Sequence, residues 1–347
     1  MSYKYILTTS NFFREGPCGR VSHAKGFIEG LVSNDQSVTL VSDQGAGKFI
    51  NFDNNLSKYK ISNKPYDFLY EILKSIINRE KIIIRWRPIL PYLLLPFILL
   101  YKNIYFEVNS LTGFNSKNKL VHNIVKFSIF LISKFSKIIV VSESSKKQII
   151  SINPRSSCIY VMPNGFSSEF LQKFKLNNSG EAKNLVYFGR RQDYYDWDNL
   201  YEILENNPGI NMHIFGFEEK KEFSNLTFHG PFEHKSLIEG MNQISNPILI
   251  IHPDDSDIAK SGSPMKLFEY AYLNIPVIIG DSLKDIAQDF DEFILYKSSS
   301  RENLELVIKD VIYNYDHYLD KSRNLRSKVE IKYSWKEVVK SWLETNH

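Results

Sequence analysis

Between Ser261 and Ala271 the chain reads Ser-Gly-Ser-Pro-Met-Lys-Leu-Phe-Glu-Tyr-Ala, and Asn-Ile-Pro-Val-Ile-Ile-Gly-Asp follows from Asn274 to Asp281. Small residues and Pro264 opening an apolar-periodic stretch predict a helix over 264–273. The amides at such a terminus, around Gly262, Ser263, Pro264 and Met265, suit an anion, because the first N–H groups of a helix have no partner within it. Lys266 and Glu269 are three apart and share a helical face. An ammonium there can pair with a diphosphate, while the carboxylate accepts from ribose hydroxyls. The same spacing also describes a surface Lys–Glu pair on an ordinary capped helix, and spacing alone leaves both readings open.

Three further places carry candidate chemistry. In Tyr187-Phe188-Gly189-Arg190 a strand runs into a glycine and an arginine that could clamp phosphate with paired donors; Arg191 is the rival cation. In Phe228-His229-Gly230-Pro231-Phe232 a strand end carries His229 and Gly230. In Phe106-Glu107-Val108-Asn109 an acid closes a strand, where Glu107 either meets a substrate hydroxyl or neutralises Arg85; the substrate role is the one adopted. Asp196 or Asp198 caps the next helix. Arg14, Arg20 and His23 are candidate site residues from the first half.

Other patterns exclude themselves. Gly45-Ala46-Gly47-Lys48 follows a strand, but a phosphate-binding P-loop would need Gly at 42 and Ser or Thr at 49. Ser42 and Phe49 stand there. Asp254-Asp255-Ser256-Asp257 offers clustered oxygens of the kind hard cations use, in a turn-rich loop, and no metal is assigned to it. Cys18 and Cys158 match no metal spacing and make no disulfide framework, which favours a reducing compartment.

The elements that must position these residues follow from periodicity. With 347 residues the chain exceeds one ordinary core, and with 43% hydrophobic and 24% charged residues it reads as globular. Apolar runs at 5–9, 38–43, 81–85, 104–108, 137–141 and 158–162, separated by helical segments such as 21–32, predict a parallel α/β unit. A polar stretch over 164–184 reads as a linker. Strands at 184–188, 212–215, 226–229, 247–251 and 276–279, with helices at 198–206, 235–244, 264–273 and 301–315, repeat the pattern. Two α/β sheets facing a cleft are expected, with ligands at the C-terminal strand ends.

At this point the stretch Ser261–Asp281 resembles the donor-binding segment of GT-B glycosyltransferases, especially glycosyltransferase family four in its Ser-Pro-x-Lys-x-x-Glu-Tyr form. Val161-Met162-Pro163-Asn164-Gly165 is similar to the family's turn at the domain junction, and Gly16-Pro17-Cys18-Gly19 resembles its N-terminal glycine loop. Tyr333-Ser334-Trp335 resembles the start of its closing helix. The resemblance implies an α/β protein of two Rossmann-like domains: residues 1–165 on the acceptor side, 183–330 for the nucleotide sugar, and 331–347 as a helix crossing back to the N-terminal domain. It implies Glu269 on the nucleotide ribose, Arg190 and Lys266 on the diphosphate, and donor contacts from Gly19, Gly189, His229, Gly230, Gly262, Ser263, Pro264 and Met265. A metal-independent, retaining transfer to a glycan or lipid-linked acceptor in bacterial surface polysaccharide synthesis goes with it, and no cofactor. One departure stands out: Ser261 occupies the place where the wider family often has a Glu facing the donor sugar.

Charge completes the reading. Residues 81–150 hold eleven Lys or Arg against two Glu, so this half could face a polyanion or an anionic membrane. No nucleic-acid motif accompanies the charge. The longest apolar run, Ile89 to Tyr101, is too short to span a bilayer and contains Pro91 and Pro96. With no leader apparent at the N-terminus, a cytoplasmic enzyme is expected, touching the inner face of the membrane at most. Rival readings are a nucleotide-sugar epimerase or hydrolase on the same fold and a non-catalytic sugar-nucleotide-binding protein.

Overall fold

The computed structural model describes residues 2–7, 19–42, 58–61, 65–111, 113–114 and 116–345. The chain divides into two compact units, Met1–Gly165 with Trp335–His347, and Phe166–Ser334.

The first unit is built on a seven-stranded parallel sheet in the order β3-β2-β1-β4-β5-β6-β7. Its strands are β1 (Ser2–Leu7), β2 (Ser37–Ser42), β3 (Lys58–Ile61), β4 (Lys81–Arg85), β5 (Ile104–Val108), β6 (Lys137–Val140) and β7 (Ile159–Val161). Ile-Tyr-Phe-Glu-Val of β5 is buried throughout and Lys-Ile-Ile-Ile-Arg of β4 from Ile82 onward, as a parallel sheet covered on both faces requires. The helix Gly19–Ser33 packs against the C-terminal helix Trp335–Thr345. There is no room for a side chain on that face: a Cβ at Gly26 would overlap the Trp335 indole, and one at Gly30 would lie 2.5 Å from the Trp335 carbonyl.

The second unit has six parallel strands in the order β10-β9-β8-β11-β12-β13: β8 (Asn184–Phe188), β9 (Asn211–Phe215), β10 (Leu226–Phe228), β11 (Pro247–Ile251), β12 (Val277–Gly280) and β13 (Ile294–Tyr296). Counted within the unit this is the doubly wound order 3-2-1-4-5-6. Its topological switch lies between β8 and β11, where open α/β sheets take their ligands.

Several boundaries differ from those the sequence suggests. β3, β13 and the helix Pro65–Ile77 have no counterpart in the sequence reading. The polar stretch after Gly165 is not a free linker. Leu171 is buried, Lys175 N donates to Asn242 Oδ1 at 2.8 Å, and Asn246 N donates to the Asn177 carbonyl, which ties the segment to the second unit. The closing helix begins at Trp335, and residues 331–334 belong to the second unit. Gly16–Cys18, Arg14 and Gly45–Lys48 lie outside the described residues.

Candidate active site

The helix expected over 264–273 starts one residue later, before β12. Pro264, with ψ at 120°, is the N-cap, and the helix runs Met265–Tyr272. Pro264 makes no side-chain cap bond, and of the leading amides Leu267 N donates to the Pro264 carbonyl at 3.0 Å; the first N–H groups of a helix have no acceptor within it. Ser263 beside it is buried. Gly262 is the C-cap of the preceding short helix Asp257–Ser261, with φ at −75°, a conformation any residue adopts. Ser261 Oγ donates to the Ile258 carbonyl at 3.3 Å.

Tyr270 fixes the helix against β8. Its hydroxyl accepts from Phe188 N at 2.8 Å and donates to the Phe188 carbonyl at 3.1 Å. Lys266, one turn earlier on the same face, is thereby carried to the end of β8. Its Nζ donates to Tyr187 Oη at 2.5 Å and stands 4.1 Å from the Tyr187 ring centroid and 4.8 Å from that of Tyr195. Tyr187 Oη in turn donates to the Arg190 carbonyl at 2.6 Å. One phenol thus ties the lysine to the loop that carries the arginine.

Three glycines close the ends of β8, β9 and β10: Gly189 (φ 140°), Gly216 (φ 122°) and Gly230 (φ 69°). These conformations strain any other L-residue. Space is also missing. A Cβ on Gly189 would meet Lys266 Nζ at 2.8 Å, and one on Gly216 would meet the Gly189 carbonyl oxygen at 2.3 Å. Gly216 N donates to the Gly230 carbonyl at 2.7 Å. The result is a backbone floor at the switch point, with Lys266 over its first glycine.

Burial pulls the Lys266 ammonium down to about 7, with Glu269 opposing it. Burial likewise pushes the Glu269 carboxyl up to about 7, with Lys266 opposing. Among the described residues the Glu269 carboxylate accepts no hydrogen bond and makes no ion pair within 4 Å. The site therefore holds a cation and an acid whose ionic forms are poorly compensated until something else arrives, the condition of groups poised for a ligand.

Of the two arginines, Arg191 is committed to Glu219, with Asp193 at 3.4 Å. Arg190 is exposed beyond Gly189. His229 stacks on Phe215 with centroids 4.0 Å apart, and its Nε2 lies 3.2 Å from His213 Nδ1. Burial lowers the pKa of His229, which leaves a neutral, flat surface beside Gly230. The sequence reading missed Tyr187, Tyr195, Gly216 and His252. His252 is buried 4.2 Å from the Trp197 ring, neither ring nitrogen has a hydrogen-bond partner among the described residues, and burial takes its pKa down to about 3. Phe215-Gly216-Phe217 at a strand end was the available signal for the second glycine.

The acidic loop is used structurally. Asp254 Oδ1 accepts from Ser256 N at 3.0 Å and from its hydroxyl at 2.5 Å, and Asp255 pairs with Lys260 at 2.8 Å. Asp196 is at the N-cap but makes no side-chain cap bond; Asn199 Nδ2 donates to it instead.

In the first unit, Glu107 does not take the substrate-facing role. It is 1% exposed. It accepts from Tyr5 Oη and has Arg85 Nη1 at 3.2 Å and His23 Nδ1 at 3.1 Å. Asn109, with its amide turned to satisfy its neighbours, accepts from Arg85 Nη2 at 2.8 Å and donates to Glu107. Burial pushes the Glu107 carboxyl up, but Arg85, then His23 and the Tyr5 bond, outweigh it and hold it below the usual range. The carboxylate neutralises Arg85, because a buried guanidinium needs a paired anion. His23 belongs to the same cluster, and burial lowers its pKa to about 4. Gly19 opens the Gly19–Ser33 helix.

The two doubly wound units define the GT-B class of fold. Sucrose-phosphate synthase from Thermosynechococcus elongatus is similar over 99% of this chain and 98% of its own, at 11% identity and TM-score 0.70. HepE of Anabaena, solved with UDP, is similar over 100% and 99%, at 11% identity and TM-score 0.72. A lipopolysaccharide outer core galactosyltransferase, WaaB, is similar over 100% of both chains, at 14% identity and TM-score 0.68. No family model matches the sequence, and no curated protein matches it.

Proposed function

We propose that the protein is a glycosyltransferase that takes a sugar from a nucleoside-diphosphate donor bound at the start of the Met265–Tyr272 helix. The observation that carries this reading is the juxtaposition of Lys266, Gly189 and the start of the Met265–Tyr272 helix at the β8–β11 switch, with Glu269 on the same helix face making no hydrogen bond or ion pair among the described residues. The diphosphate lies on the amides of Met265 and Lys266 and on the side chains of Lys266 and Arg190. Glu269 accepts from the ribose, and the base lies toward His229 and Gly230. When an acceptor hydroxyl attacks the anomeric carbon, the bond to the diphosphate breaks, negative charge collects on the leaving phosphate, and the hydroxyl proton passes to a departing phosphate oxygen. Lys266, Arg190 and the helix amides are placed in advance to meet it, so little reorganisation is needed at the moment of reaction.

The Ser-Pro-x-Lys-x-x-Glu-Tyr resemblance is the support for a metal-independent transfer with retention, and for an acceptor that is a glycan or lipid-linked oligosaccharide of a bacterial surface polysaccharide. HepE solved with UDP-glucose supports a nucleotide-sugar donor. The test is turnover of labelled nucleotide sugars with and without lipid-linked acceptors, for wild type and Lys266→Ala. The variant should lose turnover by at least a hundredfold while keeping its thermal midpoint. Near-normal turnover would remove Lys266 from the site. A product formed without acceptor would favour a hydrolase or epimerase, and donor affinity without transfer a binding protein.

A further inference from the structure

The helix Lys119–Phe135 presents more apolar surface than its unit uses. One face is buried through Val125, Ile129 and Ile132. Beside that face Leu120, Ile124 and Phe127, at i, i+4 and i+7, stay outward, Leu120 at 68% and Phe127 at 52% exposure. The short helix Leu90–Leu93 lies against this edge: Tyr92 Oη donates to the Ile124 carbonyl at 2.8 Å, and the Tyr92 and Phe127 rings are 5.9 Å apart. Ile89 and Leu93 are exposed there as well. Leu120, Ile124 and Phe127 thus form an outward apolar ridge with the short helix beside it, and exposed apolar surface of this kind marks an interaction surface.

The charge around the ridge identifies what it meets. Lys119 and Lys126, seven residues apart, lie on the stripe next to the apolar one, Lys134 continues the apolar line seven residues beyond Phe127, and all three are exposed. The only acids in residues 81–150 are Glu107, buried in its own cluster, and Glu143, 3.5 Å from Lys146. A second copy of the same face would bring lysines against lysines. A surface of anionic headgroups neutralises them while the acyl boundary takes the ridge, as for an interfacial helix. No helix among the described residues is long and apolar enough to cross a membrane, so contact through this ridge is peripheral.

We infer that the Leu120–Ile124–Phe127 ridge with its lysine stripe docks the first unit onto an anionic lipid bilayer. This rests on the surface alone and is independent of the donor site. The test is cosedimentation with extruded vesicles of phosphatidylcholine containing about one third phosphatidylglycerol, against phosphatidylcholine alone, at low salt. Wild type should partition at least tenfold more strongly to the anionic vesicles and lose most binding at high salt. Lys119→Gln with Lys126→Gln should weaken it roughly five-fold per lysine. Ile124→Ser with Phe127→Ser should weaken it at least tenfold, with thermal midpoint and nucleotide affinity retained. Equal binding to both vesicle types, or by wild type and variants, overturns the inference. So does self-association of wild type by light scattering, abolished by the serine variant, without vesicle binding.

Discussion

The state of Lys266 makes nucleotide binding depend on pH in a direction and size that the site geometry sets. In the ligand-free protein its ammonium titrates near 7, so above that value the side chain is mostly neutral. A bound diphosphate supplies the missing anion and returns the group toward its ordinary range, about 10.4. Binding therefore takes up a proton between those two values, and affinity falls as pH rises through the window. A shift from about 7 to about 10 makes the association constant drop on the order of fifty-fold between pH 7.5 and 9.5, a range above the second ionisation of phosphate. The assay is titration calorimetry with the tightest binder among UDP, GDP, ADP and dTDP, in buffers of different ionisation enthalpy so that proton uptake is read directly. Lys266→Met should bind weakly and lose the slope. A change under threefold in wild type, or an unchanged slope in Lys266→Met, would refute this account of the lysine.

Other expectations follow from the same contacts. Lys266→Met should raise the thermal midpoint of ligand-free protein by a few degrees near pH 6.5. A folded pKa below the unfolded one makes charging a cost, borne in full below about 7 and lost as pH rises through the ordinary lysine range. Tyr187→Phe should weaken nucleotide binding several-fold, measured by calorimetry, because one hydroxyl holds both the ammonium and the Arg190 carbonyl. Gly216→Ala should cost roughly 2–4 kcal/mol in urea unfolding, since strain at positive φ adds to overlap with the Gly189 carbonyl. Glu107→Ala should cost about 3–5 kcal/mol by leaving Arg85 buried without its anion, yet leave nucleotide affinity within twofold. Full stability with lost turnover would return Glu107 to the acceptor side.

The strands that carry the site were legible because they are buried on both faces. Runs such as Asn184–Phe188 and Pro247–Ile251 contain almost nothing but apolar residues, and their observed limits coincide with the sequence reading. The edge strand Lys58–Ile61 has four residues and β13 three; at that length neither alternation nor an apolar run stands out from the surrounding sequence. At the site, Lys266 and Glu269 could be read from spacing on one helix. Tyr187 could not, because it looks like any core aromatic of β8, and its role exists only once Tyr270 has pinned the helix to that strand. Glu107 shows the opposite failure. An acid at a strand end invites a substrate, and its partners come from helix and strands distant in sequence, Tyr5, His23 and Arg85, which only the tertiary structure brings together.

The most direct measurement is a thermal-shift panel of UDP-, GDP-, ADP- and dTDP-sugars and CMP against wild type, Lys266→Ala and Glu269→Ala. A sugar nucleotide of one base should raise the midpoint of wild type by several degrees and leave both variants unmoved. A shift of equal size in all three proteins, or none in wild type at millimolar ligand, would contradict the seat assigned to the Met265–Tyr272 helix.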